Sequence, residues 1–182
     1  GGFYAPAIDY FNAVSSHAAA DDSLRAEALF ETGNAYAGLR EYEKAEHAFE
    51  QLFSTFPASP RAVSAMLGAA RAAVARGSNN TCLAYSKKIL TLPSSLYTRP
   101  AFMLAAEASI ALRQWNDAAR FYSTCADRSP EDPGTADVLL KLAALYRGQL
   151  HDPRKAMNAY DQIVQQFPQD PRVVDALIGS GE

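Results

Sequence analysis

Four prolines, Pro57, Pro93, Pro130 and Pro168, close amphipathic stretches at intervals of 36, 37 and 38 residues. A series of small side chains keeps the same step: Ala7, Ala45, Cys82, Ala118 and Ala156 lie 38, 37, 36 and 38 apart. Twelve or thirteen residues before the last four stand Gly33, Ala70, Ala106 and Ala143, each four residues after a large apolar side chain (Leu29, Met66, Phe102, Leu139). Aromatic rings follow the small residues by four positions at Phe11, Phe49, Tyr122 and Tyr160; in the second repeat Tyr85 comes one residue early. A self-similar period of this length marks a stacked-repeat architecture rather than a single closed core.

The physical content of the columns is a pair of antiparallel helices. Small residues let two helix backbones approach, and the aromatic and large apolar residues fill the space around the contact. One pair cannot bury its apolar face alone, so neighbours stack and share a core. Ser59-Pro60, Asp132-Pro133 and Asp170-Pro171 each put a capping residue before a first-turn proline. The predicted helices are 4–18, 23–38, 41–55, 60–76, 80–91, 97–112, 115–127, 133–148, 153–167 and 171–179. The implied class is an all-α solenoid spanning 1–182. It divides into a half-repeat over 1–22, four full repeats over 23–59, 60–95, 96–132 and 133–170, and a half-repeat over 171–182. Two half-repeats at the ends make the sequence read as a piece of a longer protein.

The run Leu29, Gly33-Asn34-Ala35-Tyr36, Leu39, Tyr42, Ala45, Phe49, Pro57 resembles the tetratricopeptide repeat almost throughout, and Trp115, Ala118, Tyr122 and Pro130 hold the same columns. The second repeat departs most, with Asn79, Cys82 and Ser86 in place of the usual aromatic, alanine and aromatic. The fourth has one extra turn residue near His151-Asp152-Pro153. The resemblance implies a right-handed superhelix and a scaffold for other proteins, bound on a concave face lined by the first helix of each pair. Carried onto this sequence, that face includes Phe30, Asn34, Leu67, Arg71, Met103, Glu107, Leu140 and Arg147. Phe30, Leu67, Met103 and Leu140 share one column, an apolar stripe suited to an extended or helical peptide. Of the cluster with which one branch of the family grips carboxylate tails, only Asn34 is present. Gly68 and Leu104 are among the residues standing where polar or basic members belong. The strings over 49–62 and 160–173 are similar to the bacterial envelope branch of outer-membrane assembly lipoproteins and periplasmic Tol partners, implying a periplasmic or outer-membrane-associated setting.

Charge and chemistry narrow the alternatives. The net charge is −3, but residues 1–60 hold 9 acids against 3 bases, 61–128 hold 3 against 9, and 129–182 hold 8 against 5. No coherent basic surface suggests nucleic acid, although the alternation suits self-association. No apolar run approaches the about 20 residues of a membrane span. His17, His47 and His151 have no metal-ligand spacing to each other or to Cys82 and Cys125. There is no phosphate loop and no nucleophile elbow, so neither an enzyme nor a cofactor is expected. The acidic run Glu41, Glu43, Glu46, Glu50 reads as a solvated helix face.

Overall fold

Helices form where the apolar columns place them. The computed structural model describes residues 4–17, 20–93 and 96–181. Among the described residues there are ten α-helices and no strand: α1 (Tyr4–Ser16), α2 (Asp22–Gly38), α3 (Tyr42–Thr55), α4 (Ala62–Ala75), α5 (Asn79–Leu90), α6 (Thr98–Ala111), α7 (Trp115–Arg128), α8 (Thr135–Gly148), α9 (Pro153–Gln166) and α10 (Arg172–Ser180). This is an all-α architecture of the α-solenoid class. Residue 18, where the first helix was expected to end, lies outside the described residues.

The structure moves three helix starts. Ser59, Asp132 and Asp170 accept bonds from the N–H two residues on, at 3.2, 2.8 and 2.9 Å, in place of the expected helix caps. Their carbonyls accept from the third residue on, at 2.9, 2.8 and 3.0 Å. Short polar side chains favour such local turns over helix, so α4, α8 and α10 begin at residues 62, 135 and 172. At α9, where no cap was expected, one forms: Asp152 accepts from the Lys155 N–H at 3.1 Å, and Pro153 occupies the first turn.

The tight turn inside each pair has a common device. Arg40, Gly77, Arg113 and His151 have φ of 62°, 81°, 58° and 50°, the left-handed conformation that ends helices. After the first three, the next N–H reaches back five residues: Glu41 to Tyr36, Ser78 to Ala73 and Gln114 to Ser109. In the fourth turn Asp152 reaches back six, to Tyr146, which accommodates the extra residue.

Contacts divide the chain into two compact units, Gly1–Leu104 and Ala105–Glu182. In the N-terminal unit, Tyr36 lies near Lys44 and Arg25 near Phe56, so α2 and α3 run antiparallel. Phe49, 2% exposed, fills the centre of this unit. A methyl group built on Gly33 of α2 would come within 2.5 Å of the Phe49 ring, and one on Gly68 of α4 within 2.7 Å. The ring therefore spans from its own pair to the next one. In the C-terminal unit a methyl on Gly179 of α10 would approach Tyr160 to 2.4 Å. Both glycines follow the aromatic by 19 residues. Cys82 and Cys125 are buried and outside any disulfide, the packing role expected of small residues in their columns.

Gly68→Ala tests this wedge. Alanine favours helix over glycine by about 1 kcal/mol, but Phe49 is held against Gly33 on α2 and has little room to retreat. Overpacking of a tight core costs roughly 1–3 kcal/mol, so the variant should melt lower than the parent. Phe49→Leu in the same chain should recover part of the loss. A Gly68→Ala protein with a raised melting temperature would refute the wedge.

Candidate functional site

The first helices of the N-terminal unit carry a cluster of exposed and half-buried side chains. Phe30 on α2 is half-buried, with its ring 5.7 Å from that of Phe49. The Arg61 guanidinium stands 4.8 Å from the Phe30 ring centroid. Both arms of the guanidinium are held by Glu27: Nε donates to Oε2 and Nη2 to Oε1, each at 2.6 Å. This fork geometry is the strongest form of an arginine–carboxylate pair. The Glu27 hydrogen bond raises the arginine's already high pKa, so the cation over Phe30 is permanent. Asn34 is exposed one turn along, with Nδ2 3.4 Å from Glu31 Oε2. Arg71 on α4 is exposed and Met103 on α6 half-buried.

Leu67 sits differently from the other members of its column. It is 5% exposed and packed in the same core cluster as Phe49, Phe53 and Met66. Its side chain holds helices together and offers little area to a partner. The close approach that Gly68 permits between α4 and α3 explains why its neighbour is drawn inward. Arg61, by contrast, has no place in the repeat columns. The signal that could have found it is the Ser59-Pro60-Arg61 joint, which projects its arginine toward a carboxylate 34 residues earlier.

In the C-terminal unit, Glu107 and Arg147 are exposed and Leu140 is half-buried. Lys141 bridges Asp137 at 3.3 Å and Glu107 at 4.0 Å, so Glu107 is engaged by a lysine of α8. Glu107 and Asp137 also help hold the Tyr122 hydroxyl group's pKa at about 12, although burial of the phenol is the larger cause. Arg172 occupies the joint position matching Arg61. It turns to Asp170, 2.7 and 2.6 Å away, and donates to the Pro133 carbonyl at 2.9 Å. The two equivalent arginines thus do different work.

The acidic run is not uniformly solvated. Glu46 is 7% exposed, accepts from Arg76 Nε at 2.7 Å, and lies 3.5 Å from the Tyr85 hydroxyl. Burial, and then the charges of Glu50 and Glu46, push the Tyr85 pKa up to about 12. The early arrival of Tyr85 explains the correction: its ring packs 5.7 Å from Phe53 and covers this side of α3. Among the described residues no three His, Cys, Asp or Glu side chains gather as metal ligands would, and no helix is long and apolar enough to cross a membrane.

Family models described as tetratricopeptide repeat match residues 26–59 and 137–170, one segment in each unit. Those two segments are similar to the tetratricopeptide repeat. No curated protein sequence matches significantly. Among solved structures, MamA from Desulfovibrio magneticus RS-1 is 16% identical with a TM-score of 0.69, covering 93% of this chain and 89% of that one. A tetratricopeptide repeat protein from Parabacteroides merdae is 19% identical with a TM-score of 0.70, covering 85% and 57%. YrrB, described as a tetratricopeptide-repeat protein with an unusual peptide-binding site, is 16% identical with a TM-score of 0.66, covering 100% and 85%. Identities this low show the fold alone.

The Asp170–Arg172 joint makes a prediction about acid. Hydrogen bonds from the Arg172 side chain and backbone lower the Asp170 pKa to about 2, against about 3.9 for a free aspartate. A lowered carboxylate pKa contributes stability above the unfolded value and loses it as pH falls through the folded one. Asp170→Asn should lower the melting temperature at pH 7, and the gap from the parent should narrow between about pH 4 and pH 2. An equal gap at both ends would show that the charge is irrelevant.

Proposed function

We propose that this chain is a non-catalytic protein-interaction scaffold holding an extended or helical segment of a partner on its first-helix face. A tetratricopeptide-repeat fold supports a protein-interaction role, and the likeness to YrrB supports a peptide as the bound form. The observation that carries the reading is Phe30, a half-buried aromatic whose ring is overlaid by a guanidinium fixed in place by Glu27. Interfaces concentrate affinity in such aromatic and arginine anchors. Arg61 and Arg71 favour an acidic or amphipathic partner helix, with Asn34 placed to bond its backbone. Met103, and separately Leu140, Glu107 and Arg147 in the C-terminal unit, extend the same column and its polar flank. The envelope-like joints at 49–62 and 160–173 support a bacterial-envelope setting.

A second reading, self-assembly, is favoured by the opposed charge blocks, residues 1–60 with 9 acids against 3 bases and residues 61–128 with 3 against 9. Sizing at low and high salt separates the two, because association through the opposed charge blocks weakens as salt rises.

Partners captured by the 182-residue chain would be identified and re-bound to variants. Phe30→Ala should weaken binding by at least tenfold, about 1.4 kcal/mol, and Arg61→Ala should weaken an acidic partner most. Glu50→Ala, an exposed change on α3, should leave binding intact. Full affinity in both Phe30→Ala and Arg61→Ala, with unchanged melting, removes the first-helix face as the binding surface.

A further inference from the structure

A cleft of about 620 Å³ opens between α1, α2 and α3, lined by Asn12 and Ser15, Thr32 and Tyr36, and His47 and Gln51. The same columns recur between α7, α8 and α9, where Ser123, Ala126, Leu142, Tyr146, Asn158 and Gln162 line a space of about 150 Å³. A lysine stands over the tyrosine in each, 5.4 Å for Lys44 on Tyr36 and 5.5 Å for Lys155 on Tyr146. That shared pair is a structural property of the repeat. The floor is where the two differ. Leu142 is apolar, the column also holds Ala69 and Ala105, and its last member, Ser180, donates its hydroxyl to the Leu177 carbonyl at 2.9 Å. Thr32 is polar, 2% exposed, and its hydroxyl has no hydrogen-bond partner. A buried hydroxyl without a partner opposes folding, so a threonine at this column is unfavourable for packing alone.

We propose that this cleft is a second binding site, taking an uncharged, hydrogen-bonding peptide segment of a partner protein. Its volume falls within the roughly 300–1,000 Å³ of ligand pockets, which combine apolar walls with a few convergent polar groups. Leu29 and Ala48 supply apolar wall. The hydroxyls, amides and imidazole offer both donors and acceptors, matching the alternating N–H and C=O of a peptide main chain. The charged lining residues, Glu43 and Lys44, are opposite in sign, and Lys44 is also paired to Glu41. A net charge on the ligand would gain nothing there. The site shares neither Phe30 nor Arg61 with the first-helix face, so either can fail without the other.

The test uses the 182-residue chain, isotope-labelled and titrated with blocked pentapeptide pools, one drawn from Asn, Gln, Ser, Thr and Gly and others enriched in acidic or basic residues. Saturable amide shifts at Asn12, Ser15 and Gln51 with the neutral pool are expected. Thr32→Leu copies the C-terminal floor, so it should keep or raise the melting temperature and weaken binding at least tenfold. Gln51→Ala, exposed at the rim, should weaken binding several-fold at unchanged stability, and it decides the matter should Thr32→Leu fail to fold. The proposal is overturned by unaltered affinity in the folded variants, by equal or tighter binding of a charged pool, or by no saturable shift at millimolar peptide.

Discussion

The ring of Phe49, set against Gly33 and Gly68, is the contact on which the N-terminal unit depends. It joins α3 to its own partner α2 and to α4 of the following pair at once. Removing a large aromatic from water is worth about 1.5–3 kcal/mol, but geometry matters as much as area here. Glycine on both contacting helices lets the backbones approach until the ring touches both. Leu67 is drawn into the core beside Gly68, and Phe30 is positioned against Phe49 so that only part of its ring remains available. The surface proposed for partners is thus a by-product of how closely the core is packed.

Much of this fold was legible in the sequence because the repeat multiplies every weak signal. A lone alanine such as Ala45 says little, whereas five small residues at steps of 36 to 38 specify helix pairs. What escaped was whatever the columns do not repeat. The left-handed turn residues Arg40, Gly77, Arg113 and His151 keep the period, yet only Gly77 is a residue type that favours this conformation, so the column is invisible until backbone angles are known. A non-glycine residue there costs roughly 1–2 kcal/mol, which the surrounding helix pair offsets. Gly68 and Gly179 also escaped, since the glycine that receives each aromatic belongs to the next pair, 19 residues away.

The candidate site was legible only in part, for a related reason. The family pattern puts Phe30 and Asn34 on α2, where the first is half-buried and the second exposed, but it treats every column member alike. Leu67 is buried where Phe30 is not, because its neighbour is a glycine pressed on an aromatic. Glu46 looked like one more acid on a wet helix, yet Tyr85, shifted by one residue from its column, encloses it and supplies a hydrogen-bond partner together with Arg76. Departures from the repeat therefore decide which surface residues are free to act.

The same logic distinguishes two kinds of surface in this architecture. On the first-helix face, chemistry comes from side chains added outside the columns, such as the Glu27–Arg61 fork over Phe30, and the helix packing does not depend on them. In the cleft between α1, α2 and α3, chemistry comes from a substitution within a column, Thr32 for an apolar residue, and packing suffers for it. A repeat protein tolerates the first kind of change almost anywhere, since exposed fork residues alter stability by only about 0–1 kcal/mol. It tolerates the second only where neighbouring pairs share the load, because each pair's stability is partly lent by the interfaces on either side. Thr32 lies on α2, flanked by the α1 and α3 interfaces and followed by the Phe49 wedge, so closely packed helices surround a buried hydroxyl that has no hydrogen-bond partner.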